Sequence, residues 1–124
     1  MPVRSLTSSV LRWPDGAAVD AAVRAWAAAE TPRHPGILSL GYFGSYARGD
    51  SGVGSDLDLV AVVGAADEPF ERRALSWDLY PLPVPADLLV YTRDEWSRMA
   101  SGDSRFARTL RAETVWIFGT VPGA

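Results

Sequence analysis

Two acidic residues stand inside an apolar, strand-like run, and no other feature constrains the fold of this chain as much. Asp56 and Asp58 open the segment DLDLVAVV, which ends at Val63. Asp is depleted in strands, and burying a carboxylate without a partner is costly. Because strand side chains alternate, we expect both carboxylates on one face, roughly 7 Å apart, with Leu57 and Leu59 turned into the core from the other face. The two carboxylates repel each other unless a cation lies between them.

Apolar runs and helical patterns alternate along the rest of the chain. Strands are predicted at Ile37 to Phe43, at Asp56 to Val63, at Ala86 to Tyr91 and, as a last edge strand, over TVWIFG. Helices are predicted over GAAVDAAVRAWAAAE with Asp15 as its cap, over Glu68 to Leu79, after the capping pair Thr92 and Glu95, and over SRFARTLRAE. This order predicts an α/β or α+β fold in which helices flank one sheet.

The size and charge of the chain exclude several classes of protein. Its 124 residues suit one domain, expected to span 1–124, with a single core. No apolar run reaches the roughly 18 residues of a membrane-spanning helix. The net charge of −3 and a pI near 5.0 argue against a broad nucleic-acid-binding face.

The chain also lacks several side chains that other mechanisms require. It contains no Lys, Asn, Gln or Cys, and its twelve basic residues are all Arg. The missing Lys excludes a P-loop lysine, a Schiff base and a kinase-type lysine. The missing Cys excludes disulfides, thiolate nucleophiles and Cys-ligated zinc, and a cytoplasmic location is expected.

A third acidic residue, Asp87, stands near the start of the apolar strand ADLLVY, where a carboxylate has no structural purpose. If this strand lies beside the one that carries Asp56 and Asp58, three carboxylates converge on one site. Mg²⁺ fits such a site best, because it is a hard ion that takes oxygen ligands and shares them with substrate phosphates. The sequence therefore predicts that the three Asp residues are metal ligands.

The segment GSYARG, from Gly44 to Gly49, follows the first predicted strand and supplies candidate donors for a phosphate. It can open a helix whose free N–H groups face an anion. Gly44 lets the backbone approach closely, and Ser45 adds a hydroxyl donor. For Arg48 two interpretations stay open, since its side chain can reach a phosphate or tie the loop down.

These residues resemble a known family. The spacing of GS, ten residues and then DLD is similar to the GSx10DxD signature of nucleotidyltransferases of the DNA polymerase beta superfamily. The longer string GSYARGDSGVGSDLDLVAVV resembles the minimal nucleotidyltransferases (the MNT group), which show GSxARG followed by SDxDL. The segment ADLLVYTRDEW resembles the family's third acidic strand and the helix after it. The resemblance runs from about Ile37 to Trp96.

The resemblance implies the nucleotidyltransferase fold, with a single mixed sheet flanked by helices, and an enzyme that uses two divalent ions, Mg²⁺ or Mn²⁺. It assigns Asp56 and Asp58 to bridging the metals, and Asp87 to holding one ion and drawing a proton from the acceptor hydroxyl. Gly44 and Ser45 would bind the β- and γ-phosphates. The implied reaction transfers a nucleoside monophosphate, AMP from ATP, to a hydroxyl.

The resemblance also implies a partner protein. Family members of this size often pair, as antitoxins, with a small all-helical HEPN toxin and modify a tyrosine on it. The length of the chain favours such a partner, because 124 residues leave no second domain to bind an acceptor. Two alternatives stay open: a small-molecule, antibiotic-like nucleotidyltransferase, and a non-catalytic module that binds a partner.

Several aromatic residues have simpler interpretations. Trp26 and Trp77 lie on apolar helical faces and are predicted to be core residues. Trp96 and Trp116 are candidates for stacking on a base. His34, between Arg33 and Pro35, is predicted to be an exposed turn residue.

Overall fold

The computed structural model describes residues 13–120 and residue 122. The helices are α1 (Gly16–Glu30), α2 (Ser45–Arg48), α3 (Phe70–Arg73), α4 (Arg93–Ala100) and α5 (Arg105–Glu113), with 3₁₀ turns at Thr31–Arg33 and Ala74–Ser76. The strands are β1 (Ile37–Phe43), β2 (Leu57–Val63), β3 (Ala86–Thr92) and β4 (Val115–Gly119). Within this part of the chain, no helix is both long enough and apolar enough to cross a membrane.

The four strands form one mixed sheet in the order β3-β2-β1-β4. Strand β1 pairs antiparallel with both β2 and β4, whereas β2 and β3 are parallel. A parallel pair requires a crossover, and the 22 residues from 64 to 85 provide it. The predicted single sheet flanked by helices is therefore confirmed, and β4 is the edge strand that the sequence predicts.

Both faces of the sheet are covered, which explains the apolar character of the central strands. On one face Leu57 and Leu59 of β2 belong to the core cluster that contains Val19, Val23 and Trp26 of α1. On the other face is a second cluster, made by Phe43, Val60, Val62, Trp96 of α4 and Leu110 of α5. Asp58 shares this second face, because strand side chains alternate.

Most helix and strand boundaries agree with the sequence prediction within a residue. Asp15 caps α1 by accepting a hydrogen bond of 2.8 Å from the backbone N–H of Ala18. Thr92 and Glu95 form the predicted capping box at the start of α4. The second predicted strand begins at Leu57, one residue later than Asp56.

The predicted helix from Glu68 to Leu79 is wrong. Helix α3 is a single turn, continued by one 3₁₀ turn, and the backbone is extended at Trp77. The Trp77 ring packs against Trp26, with 6.1 Å between ring centroids, and the Trp26 Nε1 donates a 2.7 Å hydrogen bond to the Asp78 carbonyl oxygen. These contacts hold Trp77 in the predicted core, and they replace the helical geometry that the local pattern favours.

The prediction of an exposed His34 is also wrong. Its ring stacks on Trp77 with 3.7 Å between centroids and 3° between planes, and its Nε2 lies 2.8 Å from the Glu30 carboxylate. Glu30 is buried and also accepts a 3.0 Å hydrogen bond from the Asp78 backbone N–H. A buried carboxylate requires such partners, so His34 is drawn inward by Glu30 at the end of α1.

A second ion pair, which is half-buried, joins α3 to α4. The Arg73 guanidinium donates to both oxygens of Glu95, at 2.6 and 3.1 Å, and to the Val90 carbonyl oxygen at 3.1 Å. Only 9% of the Arg73 side chain is exposed. The hydrogen bonds from Arg73, together with that from the Thr92 backbone N–H, lower the pKa of Glu95 to about 2. This pair anchors the crossover connection on the sheet.

Candidate active site

The site is built on the register of the two parallel strands. Asp58 of β2 lies directly opposite Asp87 of β3, and on its other side Asp58 is opposite Phe43 of β1. Residues opposite one another in neighbouring strands direct their side chains to the same face. Asp58 and Asp87 are therefore side by side at one end of the sheet, on the face covered by α4 and α5.

The electrostatics of Asp58 differ from those of an ordinary surface carboxylate. Burial raises the pKa of Asp58, and the charges of Asp87 and Asp56 raise it further, while Arg48 lowers it. Within residues 13–120, no basic side chain forms an ion pair with any of the three carboxylates. Negative charge is thus concentrated here, and within the described residues Arg48 offsets it only from a distance, without an ion pair.

The position of Asp56 differs from those of the other two. It precedes β2 and is exposed, as Asp87 is, whereas Asp58 is half-buried. Among the residues that the structure describes, no three His, Cys, Asp or Glu side chains are arranged as a ready metal-binding cluster. The structure brings Asp58 and Asp87 together, whereas Asp56 precedes the strand, so the predicted convergence of three carboxylates is seen for two of them. The donors are carboxylate oxygens next to one another, and this chemistry fits Mg²⁺ or Mn²⁺.

Gly44 brings the backbone against this acidic pair. It follows β1 directly, and its φ of 82° and ψ of −153° belong to a region open to glycine. A Cβ placed on Gly44 would overlap the Asp58 Oδ2. Any other residue would push the carboxylate away or distort the turn, so the structure places the Gly44 backbone against Asp58, and its close approach to a phosphate stays a prediction.

The residues after Gly44 form one helical turn. Ser45 is the first residue of α2, and its carbonyl oxygen accepts hydrogen bonds from the N–H groups of Gly49 and Asp50, at 3.0 and 3.1 Å. The left-handed conformation of Gly49, with φ of 83°, ends the turn. This turn places Ser45 beside the backbone that faces Asp58.

Arg48 connects this turn to α5. Its Nε lies 3.2 Å from the Asp50 carboxylate, and its Nη1 lies 3.3 Å from the Glu113 carboxylate. In this geometry the side chain ties the loop down, which is one of the two interpretations that the sequence leaves open. Its contact with a phosphate stays a prediction.

An open cleft of about 760 Å³ adjoins the acidic pair. Its lining includes Asp58 and Asp87 together with Phe43 and Phe106. The sequence did not single out either Phe, although SRFARTLRAE contains a large apolar residue beside charged ones. Trp96, a sequence candidate for base stacking, is buried and packs edge-on against Trp116, with ring centroids 5.4 Å apart.

Comparison with solved structures defines the class of fold. A candidate nucleotidyltransferase from Sulfolobus solfataricus is 18% identical over 84% of this chain and 83% of its own, with a TM-score of 0.57. A toxin–antitoxin complex with AMP-PNP is 17% identical over 73% of this chain and 67% of its own, with a TM-score of 0.47. A variant of the toxin–antitoxin MntA-HpeT is 14% identical over 73% and 66%, with a TM-score of 0.45.

The family follows from the sequence itself. The sequence profile of the nucleotidyltransferase domain matches residues 30–117, which is more than half of the chain. The chain therefore belongs to the nucleotidyltransferase domain family, and the resemblance seen in its motifs is confirmed. No curated protein matches the chain.

Proposed function

We propose that this nucleotidyltransferase transfers AMP from ATP to a hydroxyl group, with Mg²⁺ or Mn²⁺ held by Asp56, Asp58 and Asp87. The observation that carries the proposal is the register that puts Asp58 beside Asp87, with the Gly44 backbone against Asp58. A carboxylate pair supplies ligands for a hard cation, and the absence of a side chain at Gly44 lets the backbone of the adjoining turn lie directly against Asp58.

Each residue then has a distinct task. When bound, the metal supplies positive charge at the attacking and leaving oxygens. Gly44 and Ser45 hold the β- and γ-phosphates through backbone N–H groups and the Ser45 hydroxyl. Asp87, which is exposed, accepts the proton of the acceptor hydroxyl. The hydroxyl oxygen bonds to the α-phosphorus, and pyrophosphate leaves. Arg48 holds the phosphate-binding turn and adds positive charge near Asp58.

The acceptor in this proposal is a tyrosine of a small helical HEPN-type partner, and the chain acts as the antitoxin of a toxin–antitoxin pair in the cytoplasm. The resemblance of GSYARGDSGVGSDLDL to the minimal nucleotidyltransferases supports it. Asp56 and Asp87 are exposed, so the side chain of a second protein can reach the reacting atoms.

Incubation with α-labelled ATP and Mg²⁺ tests the proposal. We expect little product from the isolated chain, and a covalent AMP adduct on a tyrosine when the protein encoded beside it is added. Asp87→Asn should retain some nucleotide binding and lose transfer, which mass spectrometry of the partner measures. No adenylyl mass on the partner, with wild-type chain and metal present, would reject protein AMPylation. A labelled antibiotic under the same conditions would identify a small-molecule transferase instead.

A further inference from the structure

Phe106 is a large apolar side chain that the fold leaves uncovered at the candidate active site. It lies in the first turn of α5, is 40% exposed and lines the same cleft as Asp58 and Asp87. Other residues of α5, such as Ala107 and Leu110, already anchor the helix to the sheet. Burial of the core therefore does not account for an aromatic ring at position 106.

The position of the ring is fixed by Phe43. The two rings meet edge-to-face, with centroids 5.8 Å apart and 81° between planes. Phe43 lies opposite Asp58 in the sheet and directly precedes Gly44. Phe43 therefore connects the turn that begins at Gly44 with Phe106, and both rings line the cleft that contains Asp58 and Asp87.

The chain has few means of reading the edge of a base. It contains no Asn, Gln or Lys, and the charged residues in the cleft lining of the described structure are the two carboxylates Asp58 and Asp87. Stacking on an aromatic ring needs no edge contacts and is tolerant of base identity, because every base has a π-face. Purines present a larger face than pyrimidines, so stacking favours them.

From these contacts we propose that Phe106 holds the purine base of the bound nucleotide by stacking, and that adenine and guanine bind similarly. This inference rests on the proposed function, since it places a nucleotide on Asp58 and Asp87. Phe43 acts as a positioning residue that keeps the Phe106 ring at the edge of the cleft.

The test compares ATP with inorganic tripolyphosphate, a ligand with phosphates and no base. Calorimetry with Mg²⁺ present measures both affinities for wild-type protein and for Phe106→Ala. We expect the variant to bind ATP roughly 5- to 100-fold more weakly, the range typical of one lost stacking contact. Its affinity for tripolyphosphate should not change, and this also shows that the variant is folded.

Phe118→Ala is the matched control. Phe118 is similarly exposed, at 37%, but lies on β4 at the far edge of the sheet, and its loss should leave both affinities unchanged. Phe106→Trp should restore ATP binding and Phe106→Leu should not, because an apolar side chain without a ring fills space and does not stack. In the wild-type protein, GTP should bind within a few-fold of ATP, and CTP more weakly.

Two kinds of failure are distinguishable. If wild-type protein binds both ATP and tripolyphosphate but Phe106→Ala or Phe106→Leu binds ATP normally, the stacking role is wrong and the proposed function stands. If wild-type protein binds neither ligand with Mg²⁺, the proposed function fails and the stacking role fails with it. A strong preference for ATP over GTP would overturn the inferred tolerance of base identity.

Discussion

The carboxylates at the two ends of the sheet differ in whether the protein supplies them with a basic partner. At what we call the acidic end, where β1 stops and β2 and β3 begin, Asp58 and Asp87 lie side by side without an ion pair from the described residues. At the opposite end, which we call the paired end, Glu95 is held by Arg73 and Glu30 by His34. Burial alone does not explain the contrast, because Glu30 is more deeply buried than Asp58.

The pKa values record the same contrast. Burial raises the pKa of Glu30, but hydrogen bonds from His34 and the Asp78 N–H outweigh it and hold the pKa below its usual value. For Asp58, burial and its acidic neighbours act in the same direction and raise the pKa. A carboxylate supplied with donors by the protein stabilises the fold. A carboxylate left without them costs stability, and such carboxylates are typical of functional sites.

The largest difference between the two ends should appear in the chemistry. Asp58→Asn removes charge from the proposed metal site, and we expect the transfer rate to fall on the order of a thousandfold, as expected for several kcal/mol of lost transition-state stabilisation. Measured without metal, the melting temperature should stay unchanged or rise, because repulsion with Asp87 is relieved. The rate of AMP transfer and thermal unfolding of the same sample check both parts.

Glu95→Gln is the control from the paired end. It should melt at a lower temperature and retain its transfer rate at temperatures where it is folded. If Asp58→Asn instead melted several degrees lower than wild type without metal, the carboxylate would be structural and the contrast between the ends would be wrong.

The sequence predicted much of the acidic end because its chemistry is local. Gly44 and the DLD strand are separated by a short loop, and the antiparallel pairing of β1 with β2 brings Gly44 against Asp58. The pairing of Asp58 with Asp87 depended instead on the parallel register of β2 and β3, which the crossover sets and no local pattern contains. From the sequence alone, the meeting of these carboxylates follows only on the condition that the two strands are neighbours.

The paired end was predicted less well because its contacts span long stretches of chain. The helix predicted over Glu68 to Leu79 was lost when Trp77 packed against Trp26, 51 residues earlier. The position of His34 depended on the same ring. Tertiary packing outweighs local helix propensity, which amounts to less than about 1 kcal/mol per residue for most side chains. Phe106 was missed because its contact, Phe43, lies 63 residues earlier in the sequence.

Removal of the metal should affect only the acidic end. With EDTA in place of Mg²⁺, we expect ATP to bind roughly 10- to 100-fold more weakly, because Asp58 and Asp87 then repel the phosphates. The melting temperature of the nucleotide-free protein should change little, since the paired end needs no ion. Calorimetry with and without the metal measures the first effect. Equal affinity for ATP in EDTA would mean that the carboxylates hold no metal.

The paired end should in turn dominate stability. Arg73→Met leaves Glu95 without its main partner, and we expect a loss of about 2–3 kcal/mol, between the values for surface and buried ion pairs. That corresponds to roughly 5–10 °C in melting temperature for a chain of this size. Arg72→Met is the matched control, because Arg72 is exposed and forms no ion pair within the described residues. Equal melting temperatures for the two variants would show that the Arg73–Glu95 pair adds nothing.

The smallest effect, and the most direct comparison of the two ends, is the dependence of stability on pH. The pKa of Glu95 is lowered from 4.5 to about 2, so its contribution is complete above pH 4.5 and is lost as the pH falls toward 2. Glu95→Gln should therefore melt below wild type at pH 7, by a gap that closes in acid.

The pKa of Asp58 is raised, so the charged carboxylate lowers the stability of the fold above that pKa, and this loss is relieved as the pH falls through it. Without metal, Asp58→Asn should melt slightly above wild type at pH 7, by a gap that also closes in acid. Melting temperatures of the three proteins, measured from pH 7 down toward pH 2, check both signs. Gaps of the same sign would show that the two carboxylates affect stability in the same way.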